Sequence, residues 1–311
     1  NSYLLLGFVL LIIFLFRILS NNSGKEGKGI RITKTVFNSL IVVIFLYHGA
    51  GLAMRWYISG HAPWSNGYEA VVFIAWVTVL TGFIFMKKNS VILAATCILA
   101  FFMLFVTEMN ILDPEITPLV PVLKSYWLMI HVAIITGSYG FLGLGAILGL
   151  LNMLLYIFRS KRNGKVLTWN INELTYVSEM TITIGLFMLT IGTFLGGIWA
   201  NESWGRYWGW DPKETWALVS VLVYAVVLHL RFIPALKSKF AFNVASLWSY
   251  TAILFTFFGV NFYLVGLHSY AQGEGLGTFP MGVLVAVICF YVFTEIAAFL
   301  NKRFTTGAEE I

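Results

Sequence analysis

The segment Trp204–Asp211 combines residue types that suit a large planar ligand. It reads Trp-Gly-Arg-Tyr-Trp-Gly-Trp-Asp, so four aromatic residues fall within seven positions. We expect their rings to form a flat apolar surface that binds by stacking and edge contacts. Gly205 and Gly209 allow the backbone to approach such a ligand closely. The alternative is a hairpin of interfacial tryptophans with a purely structural role.

Two histidines lie on either side of this segment in the sequence, His131 before it and His268 after it. A neutral imidazole is a common metal ligand and a usual axial ligand of haem iron. Two such residues beside an aromatic surface therefore indicate a haem site. Zinc is the alternative metal, but a third nitrogen or thiolate ligand is not evident nearby.

The elements that position these residues must lie in a membrane. Of the 311 residues, 59% are hydrophobic and 11% are charged, whereas soluble domains have about 45–50% apolar and about 25% charged residues. This composition argues against a soluble enzyme, a disordered chain and a secreted disulfide scaffold. The two cysteines, Cys97 and Cys289, form no CxxCH motif, so the chain is not itself a c-type cytochrome.

Continuous apolar runs predict an all-α, polytopic bundle of about nine transmembrane helices, because a spanning helix needs about 20 apolar residues. We assign the whole of 1–311 to a single membrane domain. The predicted spans are 1–20, 36–58, 68–86, 90–107, 125–158, 178–199, 214–230, 240–265 and 280–300.

The basic residues of the connecting loops indicate the orientation. Sixteen of the twenty lie at one set of helix ends, and the other ends carry only Arg55, Lys124, Arg206 and Lys213. Such a bias places the sixteen in the cytoplasm. Because they are scattered over five ends, they also argue against nucleic-acid binding, despite the net charge of +6.

The same orientation places the loop 200–213 on the outer face, with its aspartate and Pro212 predicted as the cap and first turn of the next helix. His131 is expected about 10 Å beyond the hydrocarbon core, and His268 just past the eighth span, in the outer segment Gly266–Phe279. His61 is also external, and we interpret it as a loop-packing residue. The glycine-rich stretch Gly137–Gly149 predicts close helix packing.

Two histidines lie within predicted spans. His229 is close to the cytoplasmic face, so it is a candidate haem ligand, although a helix C-terminal histidine that favours the helix dipole is the alternative. His48 lies at a different depth, so the two do not ligate one iron; we expect it to hydrogen-bond a neighbouring helix. Arg55 and Arg206 are candidate partners of haem propionates, with snorkelling as the alternative.

These residues resemble a known family. The segment WGRYWGWD is similar to the tryptophan-rich WWD signature of haem-handling proteins. The continuation DPKETWAL, the basic-ended span with His229 and the segment RWYISGHAPWSNGYE resemble the CcsA (ResC) family of System II cytochrome c biogenesis. The resemblance extends from about Val36 to His268.

The resemblance implies that haem b is both ligand and substrate. His131, His268 and His229 would ligate its iron, and the WWD positions Trp204, Gly205, Trp208, Gly209, Trp210 and Asp211 would contact it. It implies a holocytochrome c synthase that moves haem across a bacterial inner membrane or a thylakoid membrane and joins it to CxxCH of apocytochrome c by thioether bonds.

The implied partner is CcsB, which would supply the histidine opposite His229, either as a separate chain or as a fused segment. Asn1 fits a chain cut from such a fusion, and a trimmed CcsA would look the same. Two other functions stay open, namely a haem exporter or chaperone without ligase activity and a respiratory b-type membrane cytochrome. Two stacked bis-histidine haems would be expected of the latter.

Overall fold

The computed structural model describes residues 1–19, 27–109, 111–119, 123–268 and 281–309, and its elements are helical throughout these ranges. Most of the predicted outer segment Gly266–Phe279 lies outside the described residues, which end there at His268. The helices are α1 (Ser2–Leu19), α2 (Lys28–Ser59), α3 (Gly67–Phe85), α4 (Val91–Thr107), α5 (Tyr126–Phe158), α6 (Gly164–Trp204), α7 (Pro212–His229), α8 (Lys239–Leu254), α9 (Val260–Tyr263) and α10 (Met281–Glu309).

The chain is a polytopic helical membrane protein. Within the described residues, seven helices are long and apolar enough to cross a membrane, with α8 and α9 joined through a π-helical turn at Phe255–Gly259 into one of them. Helices α1 and α4 supply two shorter apolar segments, Ser2–Ile18 and Val91–Thr107. Together these match the nine predicted spans, so the predicted fold class is confirmed.

The start of α6 differs from the prediction. This helix begins at Gly164 and not near 178, and it runs for 41 residues. Its first turns contain polar residues that interrupt an apolar run, but Leu167, Ile171 and Leu174 repeat at helical spacing and are buried. An amphipathic helix of this kind is stabilised by packing of one face, so a search for continuous apolar residues misses it.

Helix α5 is the centre of the bundle and packs against α3, α4, α6, α8 and α10. Its glycines make this contact close, as predicted. A β-carbon on Gly145 would lie 2.6 Å from Ile182 of α6, and one on Gly149 would lie 2.7 Å from the carbonyl oxygen of Asn243 of α8. Such small residues let membrane helices approach at short distance.

Buried amides fix the position of these three helices. The side-chain nitrogen of Asn152 donates to Asn243 Oδ1 at 2.6 Å, and the side-chain nitrogen of Asn243 donates to Thr175 Oγ1 at 2.7 Å. The three residues lie on α5, α8 and α6 and are buried. Polar contacts of this kind join helices where lipid provides no hydrogen bonds, so they fix the arrangement of α5, α6 and α8.

Candidate functional site

A cavity of about 500 Å³ lies at the end of the bundle where α5 begins, α6 ends and α7 begins. Among the residues that line it are three histidines, His61, His131 and His268, together with Trp199 and Trp208. The structure therefore brings together two of the predicted iron ligands that are distant in the sequence. The size is within the range of small-molecule and cofactor sites, about 300–1,000 Å³.

His131 lies in the second turn of α5 and faces α6. Its Nδ1 donates to the carbonyl oxygen of Gly192 at 2.7 Å. Because a carbonyl oxygen only accepts, the proton of the neutral ring is on Nδ1 and the lone pair is on Nε2. The ring fits against α6 because position 196 is glycine, where a β-carbon would lie 2.5 Å from His131 Cε1.

His268 follows α9 and is held by Asp211. Its Nδ1 donates to Asp211 Oδ2 at 2.8 Å, which again leaves Nε2 as the free ring nitrogen. The ring packs edge-on against Trp199 and Trp204, with centroid distances of 5.4 Å and 5.0 Å. Both histidines thus present the same ring nitrogen for a ligand.

Trp199 contacts both imidazoles and is 1% exposed. Its ring is parallel to that of His131, with centroids 6.4 Å apart and 13° between the planes, and it also contacts Trp204 edge-to-face. The sequence predicts Trp199 on this face, but Trp199 is not among the predicted site residues. Its position at the end of a span beside the Trp-rich segment was the only signal.

Asp211 is the N-cap of α7, as predicted from its place before Pro212, and with Glu214 it forms a capping box. Its carboxylate accepts from the backbone N–H groups of Lys213 and Leu267 as well as from His268. Burial alone would raise the pKa of Asp211, but these donated hydrogen bonds hold that pKa below its usual range. The carboxylate therefore stays ionised, and it supports His268 from outside the cavity lining.

The aromatic residues of the Trp-rich segment do not form one flat surface. The rings of Trp208 and Trp210 are perpendicular, with centroids 5.6 Å apart. Trp208 lines the cavity, Trp204 packs behind His268, and Trp210 is 70% exposed. The expectation of a plane fails because the chain turns at Trp210, where the backbone has φ of 57°, a left-handed conformation that is rare for a bulky residue.

The two glycines of this segment have separate structural roles. Gly205 ends α6 with φ of 72°, in the left-handed conformation that glycine adopts readily. At Gly209 the guanidinium of Arg206 occupies the space where a β-carbon would lie, and the backbone N–H of Gly209 donates to Glu214 at 2.8 Å. Both glycines are thus required by the loop itself.

The cationic side chains that line the cavity, within the described part of the chain, are Lys124 and Lys213. The predicted Arg55 is instead engaged with α3, where its Nε donates to the buried Glu69 at 2.7 Å. Lys213 Nζ donates to Asn261 Oδ1 at 2.6 Å. Lys213 is not among the residues predicted for the site, although its position two residues after Asp211 places it in the first turn of α7.

The remaining histidines lie as follows. His61 packs in its loop as predicted, with its Nδ1 donating to the carbonyl oxygen of Ala62 at 3.2 Å, but it also lines the cavity. His48 is hydrogen-bonded to Tyr3 of α1 at 3.4 Å, which confirms the expected contact with a neighbouring helix.

His229 ends α7, about 25 Å along the helix axis from Pro212, and it is exposed. Its Nδ1 donates to the carbonyl oxygen of Ala225 at 2.6 Å, so its Nε2 is the ring nitrogen left for a ligand.

As for the zinc alternative, the described ranges contain no group of three or more His, Cys, Asp or Glu side chains placed to hold a metal ion.

The known proteins that resemble this chain include proteins of cytochrome c assembly and biogenesis. The Cytochrome C assembly protein family matches residues 64–268, a range that includes His131, His268 and the Trp-rich segment. Protein NrfI of Wolinella succinogenes is 44% identical over 279 residues, which is 88% of this chain and 30% of that protein. The chain therefore spans less than a third of NrfI.

This chain matches a larger share of the length of two shorter relatives. The cytochrome c biogenesis protein CcsA of Chlamydomonas reinhardtii is 36% identical over 77% of this chain and 67% of its own length. The protein of the same name from Synechococcus sp. strain CC9902 is 35% identical over 76% of this chain and 86% of its own length.

Proposed function

Because this chain belongs to the cytochrome c assembly protein family and acts in cytochrome c biogenesis, we propose that it is the haem-binding core of a System II holocytochrome c synthase. It moves haem to the outer face of the membrane and attaches it to apocytochrome c. One observation carries the proposal: His131 and His268 line a single aromatic cavity, and both contact Trp199.

The residues of the cavity fit haem. Each histidine has its Nδ1 engaged, by Gly192 in one case and Asp211 in the other, so each offers Nε2 to an iron, as axial histidines do. The lining combines apolar aromatic rings with few polar groups, which is typical of cofactor sites. Lys213 supplies a positive charge at the same cavity, and its Nζ suits a haem propionate.

Lys213 is therefore a stronger candidate for a propionate than Arg55 or Arg206. The guanidinium of Arg55 is held by Glu69, and that of Arg206 covers Gly209. Trp208 contacts the bound haem from the cavity wall, and Trp204 positions His268 from behind. Trp210, exposed beside the cavity, is available to the haem edge or to the incoming apocytochrome.

The chemistry belongs to the haem vinyl groups and the two cysteine thiols of CxxCH. Each thiol adds across one vinyl group, so a carbon–sulfur bond forms and the thiol hydrogen ends on the terminal vinyl carbon, with no net change in electrons. The chain's own residues hold the haem in place and exclude water, and positioning of this kind accounts for much of catalysis in two-reactant steps.

Haem reaches the cavity from the other membrane face, near His229. This residue lies on the exposed side of α7 with Nδ1 engaged and Nε2 available, so a second ligand can come from a partner. We assign that role to CcsB. The bias of basic residues toward the His229 end supports a cytoplasmic location for that end and a periplasmic or lumenal location for the cavity.

The test is the absorption spectrum and haem content of the chain purified with its partner. Wild-type protein should contain low-spin haem, and His131→Ala and His268→Ala should lose the low-spin spectrum and cytochrome c maturation, with partial rescue by imidazole. His61→Ala is the matched control, because His61 lines the same cavity and should leave the spectrum low-spin. Normal maturation in both ligand variants contradicts the axial assignment.

Ligase activity is tested separately. Reconstituted wild-type protein and partner should join haem to a CxxCH peptide. Haem loading without thioether formation would identify the chain as an exporter or chaperone instead.

A further inference from the structure

His131 and His268 are supported by unlike acceptors. His131 donates from Nδ1 to a neutral backbone carbonyl, that of Gly192, at 2.7 Å. His268 donates from Nδ1 to a carboxylate, that of Asp211, at 2.8 Å. The same ring atom thus meets a neutral group on one side of the cavity and an anion on the other.

The carboxylate of Asp211 is fixed independently of His268. It caps α7 and accepts from the backbone N–H groups of Lys213 and Leu267. The chain before His268 lies so close that a β-carbon on Gly266 would overlap Asp211 Oδ1. One side chain therefore joins the start of α7 to the segment that carries His268, and its second oxygen is aimed at the imidazole.

We propose that Asp211 is a positioning residue that sets the tautomer, the orientation and the electron donation of His268. This inference rests on the proposed function, since it concerns His268 as an iron ligand. Asp211 does not line the cavity, so it acts through the histidine and does not contact haem.

The physical basis is the effect of an anionic acceptor on an imidazole. A carboxylate that accepts from Nδ1–H keeps the proton on that nitrogen, holds the ring direction and raises the basicity of Nε2. A more basic ligand stabilises ferric over ferrous iron and so lowers the reduction potential, because axial ligands and their hydrogen bonds tune that potential. His131, which donates to a carbonyl, lacks this effect, so the two ligands are not equivalent.

The first test is the haem midpoint reduction potential of Asp211→Asn, measured with the chain and its partner together. Asparagine keeps the shape and one acceptor oxygen but loses the charge. We expect the midpoint potential to rise relative to wild type. We also expect a fraction of the haem to leave the low-spin state, because an amide NH₂ facing Nδ1 favours the tautomer with Nε2 protonated.

Glu202→Gln is the matched control for this substitution. Glu202 is an exposed carboxylate that accepts from Ser125 at the same end of the bundle, and its hydrogen bond involves neither histidine. Its neutralisation should leave the potential and the spectrum unchanged. An equal shift in both variants would mean that general electrostatics, not the bond to His268, sets the potential, and would overturn the inference.

A second test keeps Asp211 and its cap intact. In His268→Gly, added imidazole can occupy the ligand position and donate to Asp211, whereas 1-methylimidazole cannot donate. The imidazole-filled protein should have the lower midpoint potential, and the same comparison in His131→Gly should give a smaller difference. Equal potentials with the two compounds in His268→Gly would overturn the inference even if Asp211→Asn fails to fold.

These outcomes are separable from failure of the proposed function. Wild-type protein without haem would remove the function and leave no ligand to position. Wild-type protein with haem, together with an unchanged potential and spectrum in Asp211→Asn, would remove only the role of Asp211.

Discussion

The indole of Trp199 lies parallel to the imidazole of His131, with 13° between their planes, and it meets His268 at 62°. Trp199 is also one of the largest fully buried side chains in the described chain. It therefore contributes both to packing and to the support of the two proposed ligands.

Replacement of Trp199 separates these two contributions. Trp199→Ala should lower the free energy of unfolding by about 3–5 kcal/mol, as is usual for a buried tryptophan, and should also lower haem content. Trp199→Phe keeps an aromatic ring in contact with the histidines and should retain most of the haem at a smaller loss of stability. Thermal unfolding and haem per protein provide the two measurements, and full haem content in Trp199→Ala would contradict a positioning role.

Gly196 permits the placement of His131, so a single methyl group should disturb the ligand. In Gly196→Ala the new β-carbon meets His131 Cε1 and Nδ1, and we expect loss of the low-spin spectrum while the protein still folds. Gly51→Ala is the matched helical control, since a β-carbon there meets nothing within 4 Å. An unaltered spectrum in Gly196→Ala would show that His131 can move without consequence.

Lys213 should determine affinity for the charged edge of haem. A charge-assisted hydrogen bond contributes about 1.5–3 kcal/mol, so Lys213→Met should weaken haem binding by about ten- to a hundredfold. Binding of haem dimethyl ester, which lacks the propionate charges, should be similar in wild type and variant. If the variant loses affinity equally for both compounds, Lys213 acts on the cavity and not on the propionates.

His229 should matter for haem uptake and not for the cavity. His229→Ala should lower haem occupancy in the complex with the partner, because it removes the ligand exposed on α7. Val226→Ala changes an exposed residue of the same helix and serves as the control. Equal occupancy and an identical spectrum in wild type and His229→Ala would exclude His229 from the haem pathway.

Local signals in the sequence predicted local structure well. The cap at Asp211 and the start of α7 follow from two adjacent residues, and the glycine-rich stretch of α5 predicted close packing that the structure confirms. The first turns of α6 were missed because Asn170 and its polar neighbours interrupt the apolar run, although one helical face is buried. The start of α6 is indicated by the helical periodicity of its apolar residues and not by their total hydropathy.

The site depends on relationships that sequence spacing does not specify. A count of the outer basic residues does not show which of them are already paired. Arg55 is paired with Glu69, fourteen positions later. The Trp-rich segment predicts aromatic contacts, but the left-handed backbone at Trp210 decides where its ring lies. The meeting of His131 and His268 joins residues from opposite sides of that segment, and it was anticipated from their predicted common face and from the resemblance to a family.

Neither proposed ligand belongs to the hairpin of α6 and α7, yet both are fastened to it. His131 is bonded to Gly192 and stacked on Trp199 of α6, while His268 is bonded to Asp211 at the start of α7. The distance between the two imidazoles is therefore determined by one continuous stretch of chain, which runs from α6 into α7. The α6–α7 hairpin therefore holds α5 and the segment after α9 in position relative to one another.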